Sequence, residues 1–261
     1  MDKEDPNIKE IIFEIKKKKE LSGLADIIVF EPLIKYLNKN NLKSSSLADF
    51  SDRDKKLLVK EIRAELRLLH GRFQASKKPR MELFKRDDIE SLLKTHSSTK
   101  ERMLIYEKIK SLIKSLKVDS ILDLGCGLNP IALADKGAFY YASDINESDL
   151  SLVNEFFKKN NIKGKVFFHD LRKTSEQLPE VDLCLLFKVF DIIENKGHKL
   201  AESILLNLKC KYLLVSFSTK KLSGKSMHKP KRVWFEKLLS RISYKFSIIN
   251  EENEIFYLVE K

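Results

Sequence analysis

The chain has 261 residues, 43% of them hydrophobic, with 50 Lys plus Arg against 38 Asp plus Glu and a net charge of +12. That length and apolar content exclude a disordered chain and allow one large domain or two small ones, while the longest apolar runs, such as Tyr212–Phe217, are far too short to span a bilayer. The opening "MDKEDPNIKE" has no apolar signal region, and the three cysteines, Cys126, Cys184 and Cys210, show no paired spacing, so the expectation is a cytoplasmic protein with reduced thiols, no membrane association and no metal site.

The first third reads as helix. "NIKEIIFEIKKKKE" puts Ile8, Ile11, Ile12 and Ile15 on one face, and "DIIVFEPLIKYL" and "RDKKLLVKEIRAELRLLHG" repeat the period. Gly71 suits a C-cap there. "ASKKPR" at Ala75–Arg80 is a polar break, and "MELFKRDDIESLLKTH" is a further short helical pattern. Between Lys43 and Arg80 there are 11 basic and 5 acidic residues. In "HSSTKERMLIYEKIKSLIKSL", Ser98 and Glu101 fit a capping box, with Met103, Ile109, Leu112 and Ile113 as the apolar stripe behind it. That spacing predicts a helix starting at Ser98, with His96 just outside and Arg102 near the first turn, where a cation opposes the helix dipole.

After Lys117 the pattern alternates. Strands are expected at Ser120–Leu124, Ala138–Ser143, Lys165–His169, Val181–Phe187, Tyr212–Phe217, Tyr244–Ile249 and Glu254–Val259, and helices at Asn129–Asp135, Glu147–Lys159, Ile192–Leu208 and Lys231–Arg241. Apolar strands followed by helices imply an α/β fold with a parallel sheet covered on both faces. The last two strands, joined through "NEEN", read as an antiparallel edge hairpin. From Lys209 to Arg241 there are 10 basic residues and one acidic residue, Glu236. Two basic segments point to a polyanion, most simply nucleic acid.

In such a sheet, ligands sit at the carboxyl ends of the strands. "SILDLGCGLNPIAL" (Ser120–Leu133) ends a strand in Asp123, Gly125 and Gly127, which permit a turn and close approach that a Cβ obstructs. Asp144 ends the second strand, 17 residues beyond Gly127, at a spacing suited to ribose hydroxyls, and Asp170 follows the third. A dinucleotide fingerprint needs a further glycine, but Asn129 and Pro130 stand there, and Asp123 repels a diphosphate. S-adenosylmethionine, with its cationic sulfonium and ammonium, fits better than NAD.

Together, "LLKTHSSTKER", "SILDLGCGLNPIAL", "LLFK", "VSFSTKKLSGK" and "WFEKLL" resemble the aminoglycoside-resistance 16S ribosomal RNA (guanine-N7) methyltransferases of the Arm/Rmt type. The resemblance implies a class I S-adenosylmethionine-dependent methyltransferase domain over residues 96–261, Rossmann-like with a seven-stranded sheet. Residues 1–95 are then a helical extension that docks on the 30S subunit. It implies that Arg102 pairs with the methionine carboxylate, that Asp123, Gly125 and Gly127 line the methionine portion, that Asp144 holds the ribose, and that Asp170 and Leu171 face the adenine. His96, Asn129, Ile145 and Phe187 complete the expected cofactor set. Lys188, in "LLFK", matches the target-nucleotide region, although Val189–Asp191 stand where the family pattern has a proline. Lys220, Lys221, Lys225, Lys229, Lys231 and Arg232 would border the RNA entry, with Arg63, Arg67 and Arg72 on the extension. Guanine N7 carries a lone pair and no proton, so no general base is expected. No (D/N)PP(Y/F/W) segment for an exocyclic amine and no nucleophilic cysteine is found. Asp191 is a candidate for stabilising the cationic product. His169 is expected to pack on the sheet, His228 to contact phosphate or nothing, and Trp234 to anchor a helix. The expectation is therefore a monomeric enzyme methylating the decoding-site guanine (guanine-1405 type) of 16S rRNA, with resistance to aminoglycosides as the result. The alternatives are another RNA target, such as tRNA, or a ribosome-binding homologue without catalysis.

Overall fold

A computed structural model of the chain describes residues 2–70, 73, 79–174, 176–194, 197–220 and 231–261. Three helices open it: α1 (Pro6–Lys16), α2 (Asp26–Lys39) and, after a short 3-10 turn, α3 (Asp52–Leu69). Asp5 and Ser51 cap α1 and α3 through side-chain acceptors, satisfying donors that a helix start leaves unpaired. Their apolar faces share one core. Ile8, Ile11, Ile12 and Ile15 meet Ile28, Val29 and Leu33 from α2 and Leu58, Ile62 and Leu66 from α3.

The short helices α4 (Arg80–Lys85) and α5 (Ile89–Leu93) follow. Their Leu83, Phe84, Leu92 and Leu93 join a different core, shared with the sheet. Then come α6 (Ser97–Arg102) and α7 (Tyr106–Ser115), where the single helix begun by a capping box is not found. Ser98 is helical and buried, so its side chain does not cap; His96 is the N-cap residue. The Thr99 hydroxyl binds the carbonyls of Leu93 and His96 instead, and Glu101 turns outward to Lys188. The break at Met103–Ile105 leaves Arg102 in the last turn of α6, where the helix dipole favours a cation.

The rest is β1 (Ser120–Leu124), α8 (Asn129–Leu133), β2 (Phe139–Asp144), α9 (Glu147–Asn160), β3 (Gly164–Phe168), β4 (Val181–Phe187), α10 (Phe190–Ile193), α11 (Lys199–Asn207), β5 (Cys210–Ser218), α12 (Val233–Arg241), β6 (Lys245–Asn250) and β7 (Glu254–Glu260). The seven strands run in the order β3-β2-β1-β4-β5-β7-β6. All pairs are parallel except β5–β7 and β6–β7. The expected closing hairpin is present, and its second strand lies inside the sheet. The expected helix Ile192–Leu208 is two helices, because Gly197 (φ 102°) and His198 (φ 55°) occupy left-handed backbone that no helix continues. Parallel strands are buried on both faces, and Ile121–Leu124 and Leu183–Phe187 are fully buried accordingly.

Candidate cofactor cleft and active site

The strand order reverses at β1, with β2 on one side and β4 on the other, the position where open α/β sheets bind ligands. A cleft of about 800 Å³, counting its mouth, opens there. Gly125, Asn129, Asp144, Ile145, Asp170, Leu171 and Phe187 line it, joined by His96 and Arg102 from α6 and its N-cap. Nine of the eleven residues expected to hold a cofactor therefore converge on one space.

Asp123 and Gly127 do not line it. Asp123 is fully buried beneath the turn. The Tyr140 hydroxyl donates to its Oδ2 at 2.9 Å, and Oδ1 has no partner. Burial raises its pKa from 3.8 to about 7, against the lowering effect of the Tyr140 hydroxyl. Gly127 has φ 49°, and a Cβ there would lie 3.0 Å from His96 Nε2. Its N–H donates to Asp144 Oδ2 at 2.8 Å. A side chain at Gly127 is thus strained by backbone handedness and crowded by the protein's own imidazole. At Gly125 (φ 66°) the neighbour is Val189, 3.0 Å from the position of a Cβ.

Arg102 is 1% exposed. Its Nε lies 2.9 Å from both carboxylate oxygens of Glu254, its Nη1 donates to Asn129 Oδ1 at 2.9 Å, and the guanidinium lies over the Phe187 ring at 4.8 Å. Its Nη2 is buried without a partner. A buried guanidinium N–H left unbonded is costly, and the cleft is where a ligand carboxylate satisfies it. Tyr106 donates to the same Asn129 oxygen. His96 Nδ1 is also buried and unpaired, and burial lowers the ring's pKa, so the imidazole is neutral. Asp144 has its oxygens on the N–H groups of Gly127 and Asn146 and keeps lone pairs for hydroxyl donors. Asp170 is clasped by Arg172, which holds its pKa below the usual carboxylate value despite burial.

Lys188 sits at the end of β4 with φ 58° and its side chain 6% exposed. Its ammonium pairs with Glu101 and lies 3.4 Å from Glu254. Non-glycine backbone in that region is strained and collects at functional sites. Val189, the first of the three residues Val189–Asp191 where the family pattern has a proline, precedes α10 and abuts the glycine turn.

The expected RNA contacts divide. Arg63 is spent within the fold, its Nε and Nη2 on the carbonyls of Ile15 and Glu14 at the end of α1. Arg67 clasps Glu20 at 2.8 and 2.9 Å. Arg232 donates to Asp191 at 3.0 Å and to the Ser218 carbonyl at 2.9 Å; Asp191 also accepts from Ser218 N–H. Lys220 meets Glu252 at 3.3 Å, and Lys231 is exposed. Arg72, Lys221, Lys225, Lys229 and His228 lie outside the described residues. His169 bonds Glu176 at 2.8 Å. Trp234 packs edge-on to Phe217 and Phe235 and stacks on His198 at 4.0 Å, as a helix anchor does. Among the described residues no group of His, Cys, Asp and Glu is arranged to hold a metal.

Glu254, Ser98, His70 and Phe73 were missed. Glu254 opens the apolar run "EIFYLVE", and a carboxylate at the head of an inner strand is the signal that could have found it. His70 and Phe73 line the cleft from beyond α3, where only the fold brings them.

Sheet order and cleft together define a class I methyltransferase fold. RmtF, a 16S rRNA methyltransferase solved with S-adenosyl-L-homocysteine, superposes with a TM-score of 0.75 at 23% identity, covering 98% of this chain and 99% of that one. The 16S rRNA methylase RmtB superposes at 0.72 and 22% identity, covering 97% and 98%. The model of the ribosomal RNA methyltransferase (FmrO) family matches residues 85–258, and the chain belongs to that family. A 16S rRNA (guanine(1405)-N(7))-methyltransferase of Serratia marcescens is 28% identical over 181 residues, 67% of this chain and 70% of its own. The enzyme of the same name from Frankia casuarinae is 24% identical over 177 residues, 65% of this chain and 62% of its own. That from Proteus mirabilis is 26% identical over 183 residues, 65% and 64%.

Proposed function

We propose that the protein methylates N7 of a decoding-site guanine, of the guanine-1405 type, in the 16S rRNA of the 30S subunit, using S-adenosylmethionine, and so confers aminoglycoside resistance. The observation that carries this is Arg102 Nη2, buried and unpartnered in a cleft at the strand ends, in a chain of the FmrO family.

The residues present fit the cofactor. Arg102 Nη2 would hold its carboxylate, Asp144 its ribose hydroxyls, and Leu171 with Ile145 its adenine; Asp170 braces that end through Arg172. Asp123 lies under the turn and, in its ionised form above about pH 7, would attract the ammonium by charge. Bound there, S-adenosylmethionine supplies a methyl carbon already activated on a sulfonium. What remains for the chain is position. Guanine N7 has an unshared pair and no proton, so no side chain has to remove one. Lys188, between Glu101 and Glu254, keeps the wall beside the target base electrically balanced.

The helical extension and the basic stretch Lys209–Arg241 would hold RNA through phosphates, giving affinity that falls steeply with salt, with the target base out of its stack. The protein acts as a cytoplasmic monomer in this reading. Among the described residues no helix is long and apolar enough to cross a membrane.

The test is tritium transfer from S-adenosylmethionine to 30S subunits, naked 16S RNA and tRNA, followed by borohydride–aniline scission. Cleavage at one guanine of the 30S sample is expected. Label in tRNA alone, or in no RNA, rejects the proposal.

A further inference from the structure

Two seams join the N-terminal helices to the strand ends that carry Asp144 and Asp170. At the first, the turn before α2 lies on the corner between β2 and α9. Ala25 N–H donates to the Ile145 carbonyl at 3.1 Å and Ser148 N–H to the Gly23 carbonyl at 3.3 Å, while Leu24 and Asn146 pair as an isolated antiparallel bridge. His70, just past α3, meets Asn146 Nδ2 at 2.7 Å through Nε2. Asn146 Oδ1 accepts from Asp149 N–H at 3.0 Å, which fixes the amide orientation. The amide nitrogen therefore donates to the ring, and Nε2 is the unprotonated nitrogen. Asn146 N–H in turn donates to Asp144 Oδ1 at 3.0 Å. Gly23 is the contact point: a Cβ there would fall 2.5 Å from Asn146 Oδ1 and 2.9 Å from Ser148.

At the second seam, Glu31 of α2 accepts from Arg172 Nη2 at 2.8 Å and pairs with Lys173 at 2.8 Å. Arg172 closes on both oxygens of Asp170 at 2.6 to 3.1 Å. Ile145 and Phe168, at the two strand ends, pack into the core of the N-terminal helices. Neither Gly23 nor Glu31 lines the cleft.

We infer that the helical extension is a working part of the cofactor site: it positions Asp144 through Asn146 and Asp170 through Arg172, so docking of RNA on the extension and binding of cofactor in the cleft are coupled. Gly23 and Glu31 are positioning residues in this scheme. The inference rests on the cofactor reading above. Coupling of this kind is reciprocal, so whatever shifts the extension changes cofactor affinity, and cofactor changes the extension's affinity for its target by the same factor.

The test uses the 261-residue chain with Gly23→Ala, which wedges the first seam, and Glu31→Gln, which keeps volume and removes the charge at the second. S-adenosylhomocysteine is titrated into each by calorimetry, melting temperatures are recorded, and KM and kcat are measured on 30S subunits with cofactor varied. The dissociation constant is expected to rise about tenfold for Gly23→Ala and about threefold for Glu31→Gln, with KM for the cofactor rising by more than kcat falls. The Glu31→Gln difference shrinks in high salt, because Glu31 and Arg172 are each one-third exposed. A role in stability alone would lower the melting temperature and leave the dissociation constant of the folded protein unchanged, and that result overturns the inference. Should Gly23→Ala not fold, Glu31→Gln decides by the same criterion. A wild-type protein that fails to bind S-adenosylhomocysteine rejects the cofactor reading itself and the inference with it.

Discussion

Arg102 carries more of the site than any other residue. It holds Glu254 and Asn129, stacks on Phe187, and keeps one nitrogen, Nη2, without a partner. Arg102→Ala takes the guanidinium from the buried Glu254 carboxylate, leaving it only Lys188 at 3.4 Å and the Ser216 hydroxyl, and should cost about 3 kcal/mol in denaturant unfolding. Arg102→Lys keeps the charge but loses the fork. It should therefore raise the S-adenosylhomocysteine dissociation constant at least about tenfold by calorimetry, with a smaller loss of stability. The sequence singled out this arginine as a cation at a helix start, whereas it ends a helix. Asp123 behaves differently. Its folded pKa of about 7 lies above the 3.8 of a free carboxyl, so between those values the native state holds a proton that the unfolded chain has released. The protonated form stabilises the fold at low pH, and that contribution is lost as pH rises through about 7. Asp123→Asn should flatten the dependence of melting temperature on pH between 4 and 7, a slope of about one proton; an unchanged slope would place the titration elsewhere.

At the scale of elements, the strands were legible because buried parallel strands are continuous apolar runs between turns, and Val181–Phe187 was read to the residue. Helix starts were less so. The capping-box spacing at Ser98 and Glu101 is present, but both side chains are drawn away, one into the cleft wall and the other to Lys188, a pull that no local pattern records. Charge on α3 shows the same limit. Its excess of lysine and arginine was visible, yet Arg63 and Arg67, taken as RNA contacts, are bonded within the extension. Arg53, Lys56 and Lys60 are exposed on that helix and have no ion-pair partner among the described residues. Lys56→Glu with Lys60→Glu should therefore weaken 30S binding and reduce its salt dependence by about one ion per lysine, leaving S-adenosylhomocysteine affinity as in wild type. Arg63→Glu should instead lower stability, since it removes donors from the α1 carbonyls.

For the whole molecule, alternation of strand and helix and a final hairpin were enough to read a parallel α/β sheet with an antiparallel edge, and the family resemblance of the motifs implied that it is a methyltransferase sheet. The cofactor cleft followed from Gly125, Asn129 and Asp144. The seam between extension and sheet was not readable, because it is built from backbone groups of Gly23 and Ala25 and from histidine and glutamate side chains with no spacing of their own. S-adenosylhomocysteine at a hundredfold excess over its dissociation constant should stabilise the folded protein by about 2.7 kcal/mol and raise its melting temperature by several degrees, read by differential scanning fluorimetry. The clasp between Arg102 and Glu254 joins residues 152 apart in the chain and reaches β7, which runs antiparallel between β5 and β6. A ligand that tightens this arginine restrains the start of that strand as well. Amide deuteration should slow along Glu254–Tyr257 when the cleft is filled, so occupancy can be followed from a strand that does not line the cleft.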